Sequence, residues 1–596
     1  MKKRALASCC LRVPTVVVSL ACLALGLTPA RSFADNEGNL GWRNHGNDLA
    51  NTRFQDVDQI NRSNVGNLRV AWVFHTGVLD ELAELQASPI VVDGRLYVTD
   101  GHDDVFALDA ASGSLIWAYR PLQIPGEMPP LDQISVCCGR NNKGVAFGDD
   151  KVFYGRLDDV VVALDAETGA VIWKTTPPLA NFREHYAINN APQFVDGLVI
   201  ISVSGGEFEV RGQVFALDAD SGAVRWHFFT TLQQSYAGDS SLRGGAAVWN
   251  PPAIDEELGL VYVVTGNAAP DILGELRAGD NLYANSIIAI DLFRGTARWH
   301  FQAVHHDIWD YDSAQPPLLF PLTRNGRDFK ALSHCSKTGQ HFILDRRNGQ
   351  PIYAVTERSV PTTPSFQHPA PTQPFSAVEP LTPLTFVRNN DTPFPPVPQF
   401  TPPGPDVFVM VPGDDGGCEW NPAAFSPRTK FIYYGTRYEP TTFQTHSGNT
   451  SLVNGLHLGS VFVNRVPGSH PFGIFGAIDS RTGRIAWRRE VPLPAKSGVT
   501  VAGDLVFFGE SAGKFHAADA ETGRILFTFD PAQSRIPNVG GAAASPVAYV
   551  ADGREFIAYA FGGNVPDRNN FTFEDPNAGK VGDAIIAFAL PREGED

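Results

Sequence analysis

The chain has 596 residues, 43% hydrophobic and 19% charged, which excludes a disordered polypeptide and supplies enough apolar matter for a large core. Its formal net charge of −17 at pH 7 excludes a binder of nucleic acid or of anionic membrane surfaces, both of which would repel it. The 56 glycines and 45 prolines suit many short strands joined by tight turns.

The chain opens on a basic start (Lys2, Lys3, Arg4) and an apolar stretch from Val13 to Leu27, with small residues at Ser32 and Ala34. This pattern predicts a signal peptide over 1–34, cleaved after about Ala34. The apolar run is short for a membrane anchor, which needs roughly 20 residues. No later stretch is long and apolar enough to span, so the expectation is an exported, periplasmic protein with no integral membrane segment. Removing the five basic residues before Asp35 takes the formal charge from −17 to −22. Cys9, Cys10 and Cys22 leave with the leader; Cys137, Cys138, Cys335 and Cys418 remain, in a compartment that permits disulfides. No Cys-x-x-Cys-His occurs in the sequence, so a covalently attached c-type haem is not expected.

From Ala107 onward one pattern recurs: an apolar run, Asp, three residues, Gly, three residues, then an aromatic. The copies are ALDAASGSLIW (Asp109, Gly113, Trp117), ALDAETGAVIW (Asp165, Gly169, Trp173), ALDADSGAVRW (Asp218, Gly222, Trp226), AIDLFRGTARW (Asp291, Gly295, Trp299), ILDRRNGQPIY (Asp345, Gly349, Tyr353), AIDSRTGRIAW (Asp479, Gly483, Trp487) and AADAETGRILF (Asp519, Gly523, Phe527). Each reads as a hairpin: a strand, an Asp/Gly turn, and a return strand opened by an aromatic that packs between sheets. Between Asp345 and Asp479 the gap is long enough for a blade without the motif, and WNPAAFSPRTKFIYYGT (Trp420 to Thr436) reads there as two strands around a turn. The fold class is therefore all-β: an eight-bladed β-propeller of four-stranded antiparallel blades, forming one domain over 35–596. A seven-bladed ring is the alternative. AIIAFAL (Ala584 to Leu590) is expected to pair with N-terminal strand material and close the ring. A Pro-rich segment at about 356–405 reads as an insertion over one face.

Polar residues at strand ends are the candidates for chemistry. SVSGGEFEVRG places Glu207 in a Gly-rich turn, GGAAVWNP places Trp249 after a Gly pair, VYVVTGNAAP ends a strand at Asn267, and HHDIWDYD sets Asp310 and Asp312 two residues apart. Carboxylates and an amide oxygen converging from separate blades would make a hard-cation site, and without a cation the carboxylates would repel one another. Taken singly, each residue has a plainer reading. Glu207 could pair with Arg211 at the surface, TGN could be a turn, Trp249 could be core, and His305 and His306 read as structural. Adjacent Cys137 and Cys138 are either two buried thiols or a vicinal disulfide; the exported location and the following GRNNKG favour the disulfide.

In combination, the adjacent cysteines, SGGEFEVRG, GGAAVW, TGN, WDYD and SGVTVAGDLVFFGESAGKFHAADAETG resemble the pyrroloquinoline quinone (PQQ)-dependent dehydrogenases, from about Trp42 to the C-terminus. The resemblance implies oxidation of an alcohol-type substrate by hydride transfer to metal-activated PQQ. It implies Glu207, Asn267 and Asp310 as metal ligands, Asp310 also as catalytic base, Trp249 as the floor under the quinone, and Cys137-Cys138 as a disulfide on its other face. Ser204, Gly205 and Lys337 fall at cofactor-contacting positions. Asp312 stands where an added carboxylate accompanies lanthanide use, so the cation is Ca2+ or a lanthanide. HHDIWDYDSAQPPL, KTGQHFILDRRNG and APTQPF also resemble the glucose dehydrogenase branch, which keeps a soluble sugar or polyol dehydrogenase as the alternative. Three positions depart from the alcohol-oxidising pattern: Gln86 for Glu, Lys143 for Arg and Arg156 for Thr; Gln86 and Lys143 remain cofactor-contacting candidates. Electrons would pass to a separate soluble acceptor such as cytochrome c, for which an acidic surface suits a basic partner. A non-catalytic propeller scaffold explains the repeats but not the site residues. Pairing of Cys335 with Cys418 is open.

Overall fold

The computed structural model describes residues 39–178, 187–387, 392–450, 452, 455–460, 464–563 and 580–592; the leader predicted over 1–34 lies outside them. Each Asp-x3-Gly copy forms the turn between the third and fourth strands of a blade. In the first, Ile90–Val92, Arg95–Thr99, Val105–Asp109 and Leu115–Tyr119 pair antiparallel in that order. The Asp109 carboxylate accepts the Ser112 N–H at 2.8 Å and its carbonyl accepts the Gly113 N–H at 2.8 Å. Gly113 has φ 71°, and a Cβ there would lie 2.5 Å from the Trp72 ring. Glycine is therefore required twice over, by the left-handed backbone and by the aromatic of the preceding blade.

That seat repeats around the ring. Trp117 lies against Gly169, Trp173 against Gly222, Trp226 against Gly295, Trp299 against Gly349, Tyr353 against Gly483 and Trp487 against Gly523. The indole N–H groups are paired as well; Trp117 donates to the Ala166 carbonyl at 3.1 Å and Trp226 to the Leu292 carbonyl at 2.8 Å. The aromatic of each of the first six motifs thus packs on the glycine of the next. The repeat encodes the ring as well as the hairpin.

Eight four-stranded antiparallel blades result, one of them extended by Phe54–Gln55, which pairs in parallel with Thr500–Ala502. The blade count is as expected, but the eighth blade is not where the long gap suggested. Trp420 to Thr436 does contain two strands around a turn, Ala424–Phe425 and part of Phe431–Tyr438. They are the first half of the blade that carries Asp479. The blade without the motif is the closing one: Val547–Ala551, Arg554–Phe561 and Ala584–Ala589, completed by N-terminal Arg69–His75. It lacks the motif because its fourth strand comes from the other end of the chain, so no hairpin turn joins strands three and four.

The gap between Asp345 and Asp479 is filled instead by excursions over one face. Val355–Ser359 pairs with Thr372–Ser376, and Phe408–Met410, Thr441–Phe443 and Asn464–Arg465 form a second small sheet. Phe400, from the Pro-rich segment, packs at 5.3 Å from Trp309 and 5.7 Å from Tyr311, which clamps the loop carrying Asp310. Among the described residues no helix is long and apolar enough to cross a membrane.

Candidate active site

The loop after strand Ala297–Gln302 presents Asp310. Trp309 and Tyr311 are fully buried; the Trp309 indole donates to the Thr401 carbonyl at 2.8 Å and the Tyr311 hydroxyl to the Pro412 carbonyl at 2.6 Å. Asp307 accepts the N–H groups of Trp309 and Tyr311 at 3.0 and 2.9 Å. In WDYD the aromatics anchor the loop, and Asp310 and Asp312 alternate with them. Asp310 adopts φ 61°, and its side chain keeps 26% exposure.

Lys337 gathers the acids. Its ammonium stands 3.0 Å from Asp310, 3.3 Å from Glu419 and 3.9 Å from Asp312. Two features force the close approach of the Lys337 and Glu419 loops. Cys335 and Cys418 form a disulfide with Cα atoms 5.7 Å apart, which settles the pairing the sequence left open. Gly416, at φ 71°, packs so tightly that a Cβ there would sit 2.5 Å from the Lys337 Cβ.

Asn267 follows strand Leu260–Val264, and its N–H donates to the Asp312 carboxylate at 2.5 Å. A Cβ on Gly266 would lie 3.2 Å from that carboxylate and 3.4 Å from the Trp249 indole nitrogen, so Trp249 and Asp312 share one wall. Glu207 sits in the turn Gly206–Phe208 between left-handed Gly205 (φ 96°) and Glu209 (φ 64°), and its carbonyl accepts the His457 N–H at 2.7 Å. The surface pairing of Glu207 with Arg211 is not the arrangement adopted. Arg211 bonds Thr231 and stacks 3.9 Å over Phe229. His305 bonds Gln302, and His306 bonds the Gly279 and Gln367 carbonyls.

The electrostatics are those of an acidic cavity. Burial pushes the Asp310 carboxyl well up; Lys337 pulls it down, and Asp271 and Asp312 push it up again. Asp312 is pushed up to about 7, chiefly by burial, against Lys337 and together with Glu207 and Glu419. Lys337 is held well above its usual range: burial opposes the charge, but Asp310, Asp312 and Glu419 outweigh it. Buried carboxylates that raise one another in this way favour any cation that reaches them. Among the described residues no three His, Cys, Asp or Glu side chains converge to metal-holding range. The donor set of Glu207, Asn267, Asp310 and Asp312 is nevertheless all oxygen, which fits a hard cation in type.

The remaining candidates have these partners. Lys143 is buried, with its ammonium 5.2 Å over the Trp249 ring, and burial brings its pKa down to about 8 against the pull of Glu419 and Glu84. Gln86 is buried and donates to Glu84 at 2.5 Å. Cys137 and Cys138 form a disulfide, in a loop tied to the Glu84 segment by the Glu84 N–H to the Arg140 carbonyl at 2.9 Å. Ser204, next to Gly205, spends its hydroxyl on the Ala187 carbonyl at 2.8 Å. Arg156 is bound elsewhere, to Asp158 at 2.6 Å and Glu127 at 2.9 Å. Its departure from the expected Thr therefore builds a buried ion network outside the Lys337 cluster. Sequence reasoning missed Glu84, Asp271 and Glu419. Glu419 adjoins Cys418, and Asp271 lies four residues beyond Asn267, but neither has a pattern of its own.

Residues 42–455 match the model of the PQQ glucose/ethanol/alcohol dehydrogenase β-propeller domain. The chain belongs to the PQQ-dependent dehydrogenase family. Residues 472–563 also match the model of the outer membrane protein assembly factor BamB, within the same ring of repeats. The quinohemoprotein alcohol dehydrogenase ADH IIB of Pseudomonas putida is 33% identical over 93% of this chain and 77% of its own length. The crystal structure of the quinohemoprotein alcohol dehydrogenase of Comamonas testosteroni superposes with a TM-score of 0.75 at 28% identity, covering 92% of this chain and 80% of that one. A europium-containing methanol dehydrogenase gives 0.73 at 25% identity, covering 92% and 98%.

Proposed function

We propose that the protein oxidises the CH–OH group of a small alcohol-type substrate, with PQQ lying against Trp249 and a hard cation, Ca2+ or a lanthanide, held by Glu207, Asn267, Asp310 and Asp312. When bound, the quinone is the two-electron acceptor and the cation polarises it as a Lewis acid. The protein's own part is to bind, orient and manage a proton. Lys143, Gln86, Ser204, Gly205 and the Cys137–Cys138 disulfide frame the cofactor, and Lys337 sets the charge of the acids. Asp310 receives the hydroxyl proton as general base. The observation that carries this reading is the Asp310–Lys337 contact at 3.0 Å, in which the acid keeps 26% exposure and the lysine 5%. A buried ammonium beside one reachable carboxylate opposes the upward push of burial and so favours the ionised form that proton abstraction needs. A passive scaffold would have no return for the cost of burying these charges.

The leader pattern read over 1–34 and the two disulfides support a periplasmic location. The acidic charge of the chain supports a separate cytochrome c-type acceptor. Asp310→Asn tests the assignment. The variant should fold normally and lose turnover; full activity would overturn the role given to Asp310.

A further inference from the structure

Two loops beside the Cys137–Cys138 disulfide hold apolar side chains outward. Leu79 is 52% exposed, Leu82 49% and Ile124 43%. Cys138, two residues before Arg140, is exposed as well. These loops are pinned. The Arg140 N–H donates to the Leu82 carbonyl at 2.6 Å, and its guanidinium donates to Asp80 at 2.7 Å and to the Leu131 carbonyl at 3.4 Å. Leu122, Leu131, Ile134 and Val136 pack on buried Met128 and Leu157, which gives the second loop a small core of its own. A cavity of about 500 Å³ opens between the loops, lined by Leu79, Asp80, His102, Arg120, Leu122 and Gln123. The first loop runs straight on into Glu84 and Gln86.

Clustered apolar side chains held outward on a fixed backbone and rimmed by polar groups mark a docking surface. The charges say what docks. The basic side chains between the loops are spent on acids, Arg140 on Asp80 at 2.7 Å and Arg120 on Asp104 at 3.5 Å. Glu81 and Asp132 stand exposed on the same loops, on a chain of net charge −17. Oxidation of one CH–OH group to C=O releases two electrons and two protons. Two haem carriers, each going from Fe3+ to Fe2+, take the electrons, and the protons pass to solvent. With the disulfide framing the quinone, exposed Cys138 is where the cofactor pocket meets the surface. We propose that Leu79, Leu82 and Ile124 form the apolar centre, and Glu81 and Asp132 the acidic rim, of the docking surface for a small basic haem protein that accepts these electrons. The proposal rests on the functional reading above.

The test uses the PQQ- and metal-loaded protein and two probes: mitochondrial-type cytochrome c, which is basic, and the same cytochrome with its lysines succinylated, which keeps the haem and reverses the charge. Affinity is measured by titration calorimetry at an ionic strength of about 10 mM, where the screening length is about 30 Å. The wild type should bind the native cytochrome at least about tenfold more tightly than the succinylated one. Leu79→Ser with Leu82→Ser should weaken native binding at least about fivefold, and Glu81→Lys with Asp132→Lys should do so at about 10 mM but much less at about 150 mM. Turnover with a small dye as acceptor, which needs no docking surface, should stay within about twofold of wild type in each variant, while kcat/KM for the cytochrome falls with the affinity. Equal binding of the two cytochromes, no binding of the native one, or unmoved affinity in the serine variant would overturn the inference and leave the functional reading standing, provided that the dye is reduced. No dye reduction with any alcohol would remove both.

Discussion

The Cys335–Cys418 disulfide closes a loop with a sequence separation of 83. In the chain-entropy account, a cross-link over a loop of that length removes about 4.5 kcal/mol of freedom from the unfolded chain, and native disulfides commonly contribute about 2–5 kcal/mol. Cys335→Ala with Cys418→Ala should therefore destabilise the protein by about 3–5 kcal/mol; alanine avoids leaving buried hydroxyls unpaired. The assay is urea unfolding followed by tryptophan fluorescence, wild type against double variant. Cys137→Ala with Cys138→Ala is the internal control. That bond spans adjacent residues and closes the smallest ring, so its loss should cost only about 1 kcal/mol by the same argument. A double variant at 335 and 418 within about 1 kcal/mol of wild type would refute the entropy argument. The same variant should lower activity, because the bond flanks the residues that place Lys337 3.3 Å from Glu419.

Trp72→Ala removes the ring seated on Gly113 at the ring closure and should cost about 3–5 kcal/mol, measured as a shift in the unfolding midpoint. Glu555, remote in sequence from the site residues, is pushed up to about 7, chiefly by burial, against donors at Ile60 and Gln59. Its folded pKa lies above the unfolded value, so its contribution to stability is full below about 4.5 and is lost as pH rises through about 7. Glu555→Gln imitates the protonated form. Its stability relative to wild type should therefore rise between pH 5 and pH 8 by on the order of 2–3 kcal/mol; parallel pH profiles would contradict this. Asp312→Ala should lose lanthanide-supported turnover more than calcium-supported turnover, because a trivalent ion gains more from the added carboxylate. Equal support by both metals would remove the lanthanide reading.

The propeller was legible because seven blades repeat one local device, an Asp-held turn with a glycine on which the aromatic of the preceding blade packs. That device is short-range in sequence, so it survives as a motif. The closing blade carries no motif because its outer strand, Arg69–His75, is hundreds of residues from Ala584–Ala589, and the long gap drew the eighth blade to the wrong place. Asp310, Asp312, Asn267, Glu207 and Trp249 were legible at strand ends and in recognisable strings. Glu419 was not, since its place comes from packing: it reaches Lys337 beside a disulfide between distant cysteines. Arg156 shows the converse. It drew notice as a departure from a family pattern, and the structure spends it on Glu127 and Asp158.

The central claim is tested most directly by loading the purified protein with PQQ and either Ca2+ or a light lanthanide, then following alcohol-dependent reduction of an artificial electron acceptor. The account predicts turnover only when quinone and cation are both present. Turnover without the quinone, or none with quinone and every cation tried, would contradict it.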